Sequence, residues 1–69
     1  MNYMEKQIKL YNGKIFELSD NLNLSIFHEY MRSEYGVSPI QICIEEDGKI
    51  WLTSKLGEKY SLVGEVIKW

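Results

Sequence analysis

Two dipeptides, Asn12-Gly13 and Asp47-Gly48, constrain the fold of this chain more than any other feature. Both residue types tolerate positive φ, so each pair marks a tight reversal between two extended segments. The first reversal joins Glu5–Tyr11 to Lys14–Leu18. A two-residue loop would set Ile8 opposite Glu17 and Lys9 opposite Phe16, mixing apolar and charged groups on both faces. A loop of Tyr11, Asn12 and Gly13 sets Ile8 opposite Phe16, so Ile8, Leu10, Phe16 and Leu18 share one face. One-sided burial is what an antiparallel sheet in a small domain requires. The spacing therefore predicts the longer loop.

The second reversal obeys the same rule. A loop of Glu46, Asp47 and Gly48 pairs Ile44 with Ile50 and Ile42 with Leu52. Ile40, Ile42, Ile44, Ile50 and Leu52 are then expected on one face, with Cys43 and Trp51 on the reverse.

Between the hairpins, Leu24, Phe27, Met31 and Tyr35 recur at helical spacing, and Ile26 and Tyr30 widen the stripe. Ser19, Asp20, Asn21, Asn23 and Ser25 offer N-caps, and Gly36 followed by Pro39 marks the end. An amphipathic helix of about three turns is predicted. Lys55-Leu56-Gly57-Glu58 is a third connection. Lys59 to Trp69 is strand-like but apolar on both faces, which points to an inner strand, a covered reverse face or a bulge at Gly64. The expected fold class is α+β: a two-layer ββαβββ domain over 1–69, with an antiparallel sheet of four or five strands and one helix on its apolar face.

At 69 residues there is room for one domain and for none of the large enzyme architectures. Cys43 is the one cysteine and His28 the one histidine, so neither an internal disulfide nor a four-ligand zinc site can form. His28 lies among polar helix positions and is expected at the surface. A reactive Cys43 would need nearby positive charge, and its neighbours are Ile42 and Ile44. Glu45-Glu46-Asp47 is too short a run for a calcium loop and reads as a solvated turn. No catalytic constellation, cofactor motif or metal site emerges, and the expectation is a non-enzyme.

Eight basic and ten acidic residues are spread evenly, with a net charge of −2. That balance argues against nucleic acid as the main partner. No stretch is apolar enough to span a membrane, no targeting segment is evident at the start, and a lone cysteine suits the cytoplasm. The chain has no alanine, eight isoleucines and seven lysines, a bias of AT-rich coding DNA that suggests a bacterial, phage or mobile-element origin.

Nine aromatic residues are more than so small a core can cover. Phe16 and Phe27 are expected to meet between sheet and helix. Trp51 is expected on the reverse face, where Ile15, Cys43, Ile67 and Trp69 could join it as an exposed apolar patch. The expected function is therefore protein binding, as a small accessory or inhibitory protein docking on a host enzyme or assembly. Trp51, Trp69 and Tyr60 are the candidate anchors, with Tyr30 and Tyr35 on the helix side. Two alternatives use the same features: a homodimer through the sheet face or an edge strand, and a sheet whose aromatics stack nucleic-acid bases.

Overall fold

A computed structural model describes residues 6–69. Glu5, the expected start of the first strand, and Tyr3 lie outside the described residues. The chain forms β1 (Gln7–Leu10), β2 (Ile15–Glu17), α1 (Asn21–Tyr35), a short 3-10 helix (Pro39–Gln41), β3 (Ile42–Ile44), β4 (Lys49–Thr53) and β5 (Lys59–Lys68). The strands make one antiparallel sheet in the order β2-β1-β5-β4-β3, and α1 packs on one face of it.

Both predicted loops are present. Leu10 N–H donates to the Lys14 carbonyl at 2.8 Å and Gly13 N–H to the Leu10 carbonyl at 2.9 Å, which sets Ile8 opposite Phe16. Glu45 N–H donates to the Lys49 carbonyl at 2.9 Å, which sets Ile44 opposite Ile50 and Ile42 opposite Leu52. Gly13 and Gly48 have φ of 99° and 90°, where a β-carbon would be strained. Asn12 and Asp47 reinforce their turns by accepting the backbone N–H of Lys14 and Lys49, at 3.0 and 2.9 Å. The β4–β5 connection copies the pattern, with Ser54 N–H donating to the Glu58 carbonyl at 2.8 Å.

Asp20 caps α1 by accepting the Asn23 N–H at 2.8 Å, and Gly36 closes it with its N–H on the Arg32 carbonyl at 3.0 Å. The helix has 15 residues, about four turns, because it starts at the cap rather than at the first apolar position. It carries the chain from the β2 edge of the sheet to the β3 edge. Its length of about 22 Å matches the ~19 Å width of five strands.

Ile8, Leu10, Phe27, Met31, Val37, Ile50, Leu52 and Val63 are buried between the layers. Phe16 meets Phe27 edge-on at 5.4 Å, as expected. Ile26 does not widen the buried stripe; it is exposed, because it lies about 100° around the helix from Phe27. His28 is half-buried rather than fully solvated, its ring 5.6 Å from that of Phe27.

The central position of β5 explains its two-faced apolarity. It pairs with β1 and β4 together, and Val63 is an extra residue between the Ile50–Gly64 and Trp51–Leu62 pairs. This irregularity breaks the alternation and brings Val63 into the core. Ile40 departs from expectation. Ser38 and Gln41 form a capping box around Pro39, so the chain turns through the 3-10 helix before β3 begins. Ile40 is thereby taken out of the apolar face.

Candidate functional site

The five aromatic anchors expected from the sequence do not share one surface. Trp51 lies on β4 between Cys43 of β3 and Leu62 of β5, on the sheet face away from the core, and is half-buried. Lys59 places its ammonium 5.7 Å from the indole centroid and is ion-paired with Glu45. The indole Nε1–H is buried and has no hydrogen-bond partner among the described residues.

The neighbouring row on that face runs Ile15, Lys9, Glu65, Lys49 across β2, β1, β5 and β4. Alternating charges at cross-strand spacing support one another and keep this row wet. The reverse face is therefore not one apolar patch: Ile15 adjoins Lys9, at the edge away from Trp51. Trp69 lies beyond the end of β5, under the Lys6 ammonium at 4.8 Å. Its ring lies against the β3–β4 turn, 3.7 Å from where a β-carbon on Gly48 would stand. Tyr60 is 58% exposed at the opposite end of β5.

Tyr30 and Tyr35 fasten the helix to the β1–β2 turn. Asn12 Nδ2 donates to the Tyr30 hydroxyl at 2.8 Å and to the Tyr35 hydroxyl at 3.4 Å. The Tyr30 ring lies 5.1 Å from Phe16, and the Lys14 ammonium lies 5.6 Å from the Tyr30 centroid. Burial raises the Tyr35 hydroxyl above its ordinary pKa of 10.0, helped by Tyr30 and Glu34. Both hydroxyls are thus occupied within the chain.

A different site emerges where the 3-10 helix meets the β4–β5 turn. Ser38, Ile40, Gln41, Thr53, Ser54, Lys55 and Gly57 line a groove of about 350 Å3. Gln41 holds its two sides together: its Oε1 accepts the Ser38 N–H at 3.2 Å and its Nε2 donates to the Thr53 carbonyl at 3.3 Å. Ile40 is 90% exposed and Leu56, between two lining residues, is 88% exposed. Tyr60 belongs to this end of the sheet, since its neighbours Lys59 and Ser61 pair with Thr53 and Leu52. The sequence contains the signal for this corner, a Ser-Pro-Ile-Gln box and a leucine inside a turn. Reading Ile40 as a strand residue hid it.

Among the described residues, no group of three His, Cys, Asp or Glu side chains is placed to hold a metal ion. In the acidic run, Glu45 is ion-paired with Lys59 and Asp47 serves its own turn. No family model, curated protein or solved structure matches this chain.

Proposed function

We propose that this domain is a protein-binding module that docks through the apolar corner formed by Ile40, the groove it lines and Leu56 on the adjoining turn. One observation supports the reading: Ile40 and Leu56 are the two most exposed aliphatic side chains among the described residues and stand beside one groove, while Ile15, Leu22, Ile26 and Ile67 are exposed to a lesser degree. Exposed apolar groups rimmed by polar ones mark interaction surfaces. Burying a side chain of this size on a partner is worth about 1.5–3 kcal/mol. Tyr60 flanks the corner as an aromatic anchor, while Tyr30 and Tyr35 serve the fold. The partner is a second protein, and the role is that of a small accessory or inhibitory protein. The single cysteine suits a cytoplasmic setting. Among the described residues no helix is long and apolar enough to cross a membrane.

The test is capture from the native host's lysate by the tagged domain, with nuclease present, comparing wild type with Ile40→Asp, Leu56→Asp and Trp51→Ala. One stoichiometric protein, kept by wild type and lost by both aspartate variants while their circular dichroism is unchanged, supports the corner. Loss with Trp51→Ala alone, while its circular dichroism too is unchanged, moves the site to the reverse face. Capture abolished by nuclease replaces the reading with nucleic-acid binding.

A further inference from the structure

The outer strand β3 differs from every other strand: Ile42, Cys43 and Ile44 are all half-buried, with none fully covered and none fully exposed. On the β2 side the core is closed by Phe16 against Phe27 and Tyr30, whereas on the β3 side Ile42 and Ile44 pack against the core but stay half-buried. Glu45 N–H and C=O are bonded within the β3–β4 turn, and Cys43 pairs with Trp51. By antiparallel alternation, Ile42 and Ile44 direct their backbone groups to the open edge. The Ile42 N–H is taken by the Pro39 carbonyl. Among the described residues, no strand takes the Ile42 C=O or the Ile44 N–H and C=O on that edge.

We infer that a second copy of this chain occupies that edge, its β3 running antiparallel about a two-fold axis at Cys43. Ile44 N–H then donates to the Ile42 carbonyl of the second copy, and the symmetric bond forms with it. Ile42 and Ile44 of both copies make one apolar cluster on the helix side. On the reverse side the two Cys43 residues meet, with a Trp51 behind each.

Charge favours a second copy in this register. The acidic turn Glu46-Asp47 follows one end of β3, and Lys55 lies with Gln41 at the groove by the other end. The two-fold axis brings the acidic turn of each copy to the Lys55 end of the other and keeps the two acidic turns apart. This inference goes beyond the apolar corner and stands without it.

The test uses the full chain alone. Light scattering across a dilution series should show twice the monomer mass at the concentrated end. Facing residues of a non-hydrogen-bonded antiparallel pair have Cα atoms about 4.5 Å apart, within disulfide range. Mild oxidation with diamide should therefore link wild type through Cys43 much faster than a Cys43→Ser, Lys9→Cys control. Ile44→Lys should weaken the dimer by at least about a hundredfold. In case that variant fails to fold, Glu46→Lys should weaken the dimer severalfold and Lys55→Glu in the same chain should restore it. A dimer unchanged in Leu56→Asp keeps this surface distinct from the corner. Monomer mass at every concentration, or linking no faster than in the control, overturns the inference.

Discussion

Gly64 on β5 lies so close to Lys9 on β1 that a β-carbon there would stand 2.6 Å from the Lys9 carbonyl oxygen. Leu10 crowds the same space, with its Cα and Cδ2 at 3.0 Å. The constraint comes from strand approach, because Gly64 is not among the glycines with positive φ. Gly64→Ala should therefore push the two strands apart and destabilise by about 2–3 kcal/mol. A domain this small has only ~3–5 kcal/mol in hand, so the variant should keep only about 0–3 kcal/mol and be marginally folded. Urea titration followed by tryptophan fluorescence checks this, and a loss below about 0.5 kcal/mol would contradict the close approach.

Asn12 works in two directions, closing its own turn and bonding two tyrosines of the helix. Asp47 closes its turn alone. Asn12→Ala should cost about 1–2 kcal/mol and Asp47→Ala roughly half that, since each net hydrogen bond is worth about 1 kcal/mol. Equal losses in urea titrations of the two variants would mean that the tie to Tyr30 and Tyr35 contributes nothing.

Alkaline pH should weaken the fold through Tyr35. Its folded pKa is raised above the ordinary 10.0, so the native state favours the protonated hydroxyl. The associated stability is fully present below that value and is lost as pH rises through the folded pKa. Tyr35→Phe should flatten the decline. Thermal melts at increasing pH, read beside tyrosinate absorbance, would refute this if both proteins lose stability in parallel.

Trp51 keeps a buried Nε1–H that nothing among the described residues accepts. An orphan donor costs about 1–3 kcal/mol, so Trp51→Phe removes a penalty along with some apolar area. The expected result is stability within about 1 kcal/mol of wild type, while Trp51→Ala loses about 2 kcal/mol or more. A large loss in the phenylalanine variant, seen by chemical denaturation, would show that packing of the indole outweighs its unpaired donor.

Much of the local structure was legible because short-range chemistry decides it. Asn12-Gly13 and Asp47-Gly48 set loop length, loop length set register, and register put Ile8 with Phe16 and Ile44 with Ile50. Asp20 and Gly36 bounded the helix in the same way. Ile26 and Ile40 misled because an isoleucine near an apolar stripe looks the same on either side of it. One residue's step of about 100° around the helix, or one capping box, determines which side it takes.

The sequence by itself determined the α+β class, both hairpin registers and the facing of Phe16 and Phe27, since each follows from periodicity and from turns a few residues long. Only the tertiary structure decided that β5 lies between β1 and β4, that Val63 departs from the alternation, and that Ile40 and the β4–β5 turn carrying Leu56 flank one groove. Strand order depends on which distant segments bury one another best. Every surface it creates joins residues whose neighbourhood is written nowhere in the local pattern.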